Sequence, residues 1–374
     1  MKFIVSSTKL SSHLQGISRV ISNKSTLPIL DSFLFNLTGN TLTVTASDLE
    51  TTLITSLELD KAEGEGAVAI SAKILLDTLR EFPEQPLSFD INDDNLSMVI
   101  KSDTGSYNFI GQNGDEYPRM PELSNEANSL SIPVETINTG ITKSIFATAD
   151  DELRPVMNGI YFDITTEGVT MVATDAHKLV RFKTSAIQGS ANAAFILAKK
   201  PATLLKNILP KESGEVAIQF DDKNAIFTLS NYKMVCRQVE GRFPNYNGVI
   251  PQNNPYKLII DRLAFMNALK RVSLFSNQAS NLIKLQLTAN EMHVSAQDID
   301  FSISAEEKIT CQYSGEPMSI GFKSTFLVDI LGNINSGDVI LELADPSRAG
   351  LILPFENEEN EDLLMLLMPM LLND

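Results

Sequence analysis

The sequence predicts an α+β chain built from three copies of one domain, each pairing two helices with antiparallel strands. Three observations predict it. The chain has 374 residues, more than the roughly 250 to 300 at which a single core stops growing. A short text occurs three times, as Val44-Thr45-Ala46-Ser47-Asp48, Val172-Ala173-Thr174-Asp175 and Val294-Ser295-Ala296-Gln297-Asp298. Around each copy the same order of helical and alternating segments returns, which is the signature of an internal repeat.

Each repeat opens with a short strand and an amphipathic segment: Leu10 to Ile21, Ile137 to Phe146, and Leu263 to Phe275. In the first, Leu10, Leu14, Ile17, Val20 and Ile21 fall on one face of a helix. Strand-like runs follow at Ile29 to Leu37, Met157 to Ile164 and Leu282 to Leu287. Alternation at Leu42-Thr43-Val44-Thr45-Ala46, behind the turn Thr38-Gly39-Asn40, marks the next strand. A second helix begins at a recurring lysine, in Ala72-Lys73, Ala198-Lys199 and Phe322-Lys323. In the first copy it runs from Lys73 to Phe82, with Ile74, Leu75, Leu79 and Phe82 to bury. Strands at Leu96 to Lys101 and Tyr107 to Gln112 close that unit, and prolines 118, 244 and 369 punctuate the three ends. The domains expected are 1–122, 129–250 and 251–374. Polar, proline-bearing joins follow Pro121 and Pro251, as linkers do.

Composition narrows the function classes. Cys236 and Cys311 are too few for a disulfide framework, and no Cys/His spacing suits zinc. The start, Met1-Lys2-Phe3-Ile4-Val5, turns polar at once and lacks a signal-peptide core. Leu363 to Leu372 is too short to span a bilayer and contains Pro369, so it reads as a terminal core strand. These features point to a cytoplasmic protein without cofactor or metal. A net charge of −17 argues against a nucleic-acid partner only if the charge is uniform. It is not: Lys73, Arg80, Lys199, Lys200, Lys206 and Lys323 gather on the second helices, and Arg19, Lys143, Lys270 and Arg271 on the first. Acidic residues crowd turns such as Asp90-Ile91-Asn92-Asp93-Asp94 and Glu356 to Asp362. Coating of any wet helix face would explain single lysines; a lysine recurring at one place in three copies calls for a shared role.

Asp175 and His177 invite a hydrolase reading, with the pair moving a proton. The other copies carry Glu50 and Asp300 where this one has His177. The shared aspartate is then better explained as a turn residue accepting backbone hydrogen bonds. His13 and His293 have no acidic or cysteine partner evident in the sequence, and no HExxH, GxSxG or phosphate-binding loop occurs. A repeat scaffold that binds only proteins is the remaining alternative.

Five stretches together carry a resemblance: Met1-Lys2-Phe3, Thr26-Leu27-Pro28-Ile29-Leu30, Ala173-Thr174-Asp175-Ala176-His177-Lys178-Leu179, Gly241-Arg242-Phe243-Pro244-Asn245-Tyr246 and Leu367-Met368-Pro369-Met370. In this order, and across the whole chain, they resemble the bacterial DNA polymerase sliding clamps, the beta subunits of replicative polymerases. The resemblance implies a head-to-tail homodimeric ring around duplex DNA, a processivity factor and not an enzyme. Basic helices would line the hole and touch phosphate without reading bases. DNA contacts implied are Lys24, Lys73, Arg80, Lys199, Lys200, Lys206, Lys270, Arg271 and Lys323, with Asp151 opposing phosphate near another contact. Tyr107 and Phe109 would meet Leu274 and Phe275 of a second copy at the seam. A pocket for short peptides of the polymerase, the clamp loader, repair polymerases and mismatch-repair proteins would comprise Met157, Thr174, Ala176, His177, Lys178, Leu179, Pro244, Val249, Leu366, Leu367, Met368, Pro369 and Met370. Methionines suit such a site because the thioether refits different side chains. The chain departs from many relatives at Gly248 and Leu371, where they carry basic residues, and in the acidic insert Glu356 to Asp362. These departures bear on the pocket rim and so on peptide preference.

Overall fold

The computed structural model describes residues 1–22, 27–124 and 126–372. The first repeat begins with β1 (Lys2–Ser6), α1 (Ser7–Ser18), β2 (Ser32–Thr38), β3 (Thr41–Ser47), β4 (Thr51–Glu58), β5 (Lys61–Glu63) and β6 (Gly66–Ser71). It continues with α2 (Ala72–Arg80), β7 (Pro86–Ile91), β8 (Ser97–Lys101), β9 (Ser106–Ile110) and β10 (Gln112–Asn113). The second contains β11 (Asn128–Pro133), α3 (Val134–Ser144), β12 (Gly159–Thr165), β13 (Gly168–Thr174) and β14 (Lys178–Thr184). After these come β15 (Ala193–Ala198), α4 (Lys199–Ile208), β16 (Glu215–Phe220), β17 (Asn224–Thr228) and β18 (Tyr232–Arg237). The third opens with β19 (Tyr256–Asp261), α5 (Arg262–Val272), β20 (Leu282–Leu287), β21 (Glu291–Asp298), β22 (Ile303–Thr310) and β23 (Gln312–Ser314). It ends with β24 (Met318–Lys323), α6 (Ser324–Gly332), β25 (Asp338–Leu343), β26 (Gly350–Pro354) and β27 (Glu361–Leu367).

The helices form where apolar spacing and caps agree. In α1 the Ser6 side chain accepts the Lys9 N–H at 3.1 Å, and Leu10, Leu14 and Ile17 are fully buried. Burial of each such side chain contributes about 1.5–3 kcal/mol. The helix starts and stops three residues before the span expected from Leu10 to Ile21, because Val20 and Ile21 tighten into i to i+3 bonds with Ile17 and Ser18. In α2 the buried face is Ala72, Leu75, Leu76 and Leu79. Ile74, expected inside, is 57% exposed, since it lies one position off that stripe. Phe82 lies beyond the helix, its ring edge-on to Tyr107 with centroids 5.1 Å apart.

Contacts divide the chain into two compact units, Met1–Asn138 with Thr203–Gln238, and Thr139–Ala202 with Val239–Asp374. The first holds a five-stranded sheet, β5-β1-β7-β8-β9, and a nine-stranded sheet, β10-β6-β2-β3-β4-β18-β17-β16-β11. Phe3 stacks on Phe89 in its core, centroids 4.7 Å apart. The second holds a nine-stranded sheet, β15-β12-β13-β14-β27-β26-β25-β19-β23, and a four-stranded sheet, β22-β21-β20-β24. Here Phe162 stacks on Phe195 at 4.6 Å. Gly140 of α3 is required by close packing, because a Cβ there would strike Met171 and Phe182.

All strand pairings are antiparallel, and each nine-stranded sheet joins two repeats edge to edge. β4 pairs with β18, from Thr51 opposite Cys236 to Thr55 opposite Tyr232. β14 pairs with β27, from Lys178 opposite Leu367 to Thr184 opposite Glu361. The terminal strand expected at Leu363 to Leu372 ends at Leu367, and Met370 makes an isolated bridge to Gly321 beyond Pro369. Among the described residues no helix is long and apolar enough to cross a membrane.

Candidate functional site

The repeated aspartates perform one local task in three places. Asp48 Oδ1 accepts the N–H groups of Glu50 and Thr51 at 3.1 and 2.7 Å. Asp175 Oδ1 accepts those of His177 and Lys178, both at 2.9 Å. Asp298 Oδ1 accepts those of Asp300 and Phe301 at 3.0 and 3.4 Å. Each closes the turn between two strands of its sheet, an Asx turn that releases the backbone from the ladder. Leu49 and Ala176 take the left-handed conformation, with φ of 79° and 74°.

The second of these turns is the most heavily tied down. Lys178 Nζ approaches Asp175 Oδ2 to 2.5 Å, and the lysine is only 5% exposed. Burial pushes the Asp175 carboxyl upward, but the Lys178 ammonium and the two turn N–H groups outweigh it and hold the group below its ordinary 3.8. Thr174 Oγ1 donates to the Lys178 carbonyl at 2.8 Å and accepts the Ala176 N–H at 3.1 Å. Asp175 is thus spent on the backbone and on Lys178, and His177 is exposed with its imidazole turned to Phe326, not to Asp175. The arrangement lacks the base-to-orienter contact that proton transfer would need.

Around this turn the second unit gathers many of the residues expected for peptide binding. Met368 N–H donates to the His177 carbonyl at 2.8 Å, placing the chain after β27 against the turn. Met370 N–H donates to Gly321 at 2.8 Å. Gly321 has no room for a Cβ, which would meet the Met370 carbonyl oxygen at 2.7 Å. Leu179 and Leu366 lie inside an apolar cluster with Phe243, Tyr246, Ile250 and Leu351, partly covered by Val156 and Tyr161. Leu367 is fully buried. Solvent reaches Ala176, His177, Val249 and Met368, and partly Met157, Pro244, Pro369 and Met370. Gly248 belongs to the 3-10 turn Tyr246–Gly248, which presents Val249 at 58% exposure. Leu371 is 82% exposed. The acidic insert spans the β26–β27 turn, and Asp362 pairs with Arg181 at 2.6 Å.

Sequence reasoning missed Phe326 of α6. Its ring lies 6.1 Å from the His177 ring, with Lys178 Nζ 4.1 Å and Lys323 Nζ 4.8 Å from its centroid. An aromatic at that helical position reads as core, and only the fold brings it to the turn.

The basic residues divide by environment. Lys73, Arg80, Lys200, Lys270 and Arg271 are exposed, and Lys199 and Lys206 half-buried. Arg80 pairs with Asp77 at 3.1 Å, Lys199 with Asp150 at 2.6 Å and Arg271 with Glu307 at 2.6 Å. Asp151 is occupied by Arg154 at 2.8 Å. Lys143 is buried, and burial pushes its ammonium down while Glu361 and Glu358 pull it up. Lys24 lies outside the described residues. His293, without an evident partner in the sequence, meets Glu306 across the β21–β22 ladder at 2.7 Å and also Glu291, two residues away on its own strand. These hydrogen bonds raise its pKa above 6.5. Burial and Lys9 lower that of His13, which meets Thr55 at 2.6 Å. Among the described residues no three His, Cys, Asp or Glu side chains cluster as metal ligands.

Tyr107 and Phe109 lie on β9, an edge strand of the first unit. In the second unit Leu274, 77% exposed, and Phe275 occupy the 3-10 turn Ser273–Phe275, which packs against β21 and the edge strand β22.

Comparison with known proteins matches residues 1–121, 131–245 and 247–371 to the N-terminal, central and C-terminal domains of the DNA polymerase III beta subunit. A beta sliding clamp of Pseudomonas putida is 27% identical over 371 residues, spanning 99% of this chain and 100% of its own. Two solved structures from Pseudomonas aeruginosa cover 100% of both chains. One, a sliding clamp bound to griselimycin, has a TM-score of 0.94 at 25% identity. The other, a DNA polymerase III subunit beta, has 0.93 at 26%.

Proposed function

This chain belongs to the DNA polymerase III beta subunit family, and we propose that it closes a ring on duplex DNA that tethers the replicative polymerase. One observation carries the ring. In each join within the chain, the strand after the repeated aspartate turn pairs with the last strand of the following repeat: β4 with β18, then β14 with β27. The third such strand, β22, and β9, which holds in the first repeat the place that β18 holds in the second, are edge strands among the described residues. A second copy satisfies both, since exposed ladder groups invite pairing. The contact is heterologous, and closing it with two copies gives six repeats. Tyr107 and Phe109 would then face Leu274 and Phe275 across the seam.

Duplex DNA would run through the ring past Lys73, Arg80, Lys199, Lys200, Lys206, Lys270 and Arg271. The ion pairs that Arg80, Lys199 and Arg271 make with carboxylates at the surface are each worth under about 1 kcal/mol and exchange readily for phosphate. Contacts of this kind hold any sequence equally and let the ring slide. The turn at His177, the segment Met368 to Met370 and Val249 would receive short apolar peptides of the polymerase, the clamp loader and repair proteins. The activity is tethering and not catalysis, and its setting is the cytoplasm, where the chromosome lies.

Loading onto closed circular duplex tests the proposal. The protein stays bound through a high-salt wash and is released when one restriction cut linearises the circle. Equal retention on circular and linear DNA would mean binding by contact alone and would overturn it.

A further inference from the structure

We propose that the cavity between α3 and the acidic turn joining β26 to β27 binds a small amino acid as its zwitterion, with the carboxylate inward on Lys143 and the ammonium outward on the glutamates of the turn. None of the lining residues belongs to the seam, the DNA-facing set or the peptide site proposed above, so the inference stands or falls without them.

The cavity has a volume of about 300 Å³, room for a small molecule. Lys143 reaches it from the last turn of α3, and Glu356, Glu358 and Glu361 line it from the acidic turn together with Asn335, Ser336 and Asn357. Lys143 is only 9% exposed. It makes no hydrogen bond and no ion pair among the described residues. An ammonium out of water without a partner is costly. Burial accordingly holds its pKa below the ordinary 10.5, while Glu361 and Glu358 act on it from too far away for an ion pair. The backbone of the turn is fixed by three bonds: Glu361 N–H to the Glu358 carbonyl at 3.1 Å, Ser185 N–H to the Asn360 carbonyl at 3.0 Å, and Leu363 N–H to Asn357 Oδ1 at 3.2 Å. In that arrangement no carboxylate reaches the lysine.

The charges select the ligand. A lone anion would meet Lys143 but also three carboxylates, and a lone cation would be drawn to those carboxylates and repelled by the buried ammonium. The glutamates do not converge as metal ligands. A molecule carrying both charges satisfies both ends. Its carboxylate gives Lys143 the charge-assisted partner that it lacks. Asn357, whose carboxamide oxygen already takes the Leu363 N–H, keeps its amide hydrogens for the same carboxylate. The ligand's ammonium then meets Glu358 and Glu361. Glu361 gains as well, because burial pushes its carboxyl up and an ammonium beside it favours the charged form. The acidic insert thereby acquires a task of its own, that of holding the cationic end of a ligand whose anionic end is held by α3.

Titration of the full chain by calorimetry and saturation-transfer NMR decides it, with glycine, β-alanine, γ-aminobutyrate and δ-aminovalerate as zwitterions of increasing reach. Butyrate and butylamine serve as probes that carry one charge each. At least one zwitterion is expected to bind about tenfold tighter than either of them. Lys143→Met, which fills the space without the charge, should abolish that binding, and the double variant Glu358→Gln with Glu361→Gln should weaken it about tenfold. The two variants alter opposite ends of the site, so a folding defect in one leaves the other to decide. Absence of binding by every zwitterion overturns the inference. So does butyrate or butylamine binding as tightly as the best zwitterion, or zwitterion binding undiminished in Lys143→Met or in the double variant.

Discussion

At the scale of single residues, the turn at 175–178 converts one carboxylate into local order. Replacing Asp175 with Ala should cost about 1–2 kcal/mol in chemical denaturation, because two turn N–H groups and the buried Lys178 lose their acceptor. Ala176→Gly should stabilise by about 0.5–1 kcal/mol, since glycine accepts the positive φ that alanine bears at a cost. The Asp175 contribution follows pH with a definite sign. Its carboxyl is held below the ordinary 3.8, so the stabilisation is full above that value and is lost as pH falls through the depressed one. A denaturation series in which the wild type and Asp175→Ala differ equally at pH 7 and pH 2 would contradict this. The role of Asp175 was legible in the sequence, because three copies kept the aspartate while the residue two places on varied. Phe326 was not: its partners His177 and Lys178 lie in another repeat, and helical spacing alone makes it a core residue.

At the scale of elements, β27 and its continuation do two jobs in succession. Leu363 to Leu367 complete a sheet, and Met368 to Met370 hold to the His177 turn and to Gly321 by single backbone bonds. A chain ending at Leu367 should therefore keep its assembly mass and lose the binding of partner peptides. Peptide affinity unchanged by that truncation would place the site elsewhere. Alternation located the strands, although Ile29 to Asp31 and Met157, expected within them, lie in 3-10 turns, yet it could not say that β18 lies beside β4 or β27 beside β14. Strand neighbours are chosen by ladder groups and edges, which every strand presents alike. Ile74 failed for a related reason: near one face of a nine-residue helix, a shift of one position turns a side chain from the core to water.

At the scale of the whole molecule, a net charge of −17 coexists with clusters of Lys and Arg on helices, and the repeat explains how both are kept. Gel filtration with light scattering should give about twice the chain mass of 41.1 kDa. Joint substitution of Leu274 and Phe275 by Asp should return the single-chain mass, because charge at an apolar edge contact is costly to bury. An unchanged mass in that variant would displace the proposed seam. The three joins nevertheless differ in one respect. The partners in β4·β18 and β14·β27 belong to one polypeptide, so their encounter is indifferent to dilution, whereas in the proposed ring β9 and β22 would have to find a second molecule. Cellular abundance would therefore act on the proposed seam alone. Under the proposed assembly, a concentration below its dissociation constant would leave folded single chains that cannot encircle DNA, so the amount of protein made would set processivity without altering a single contact.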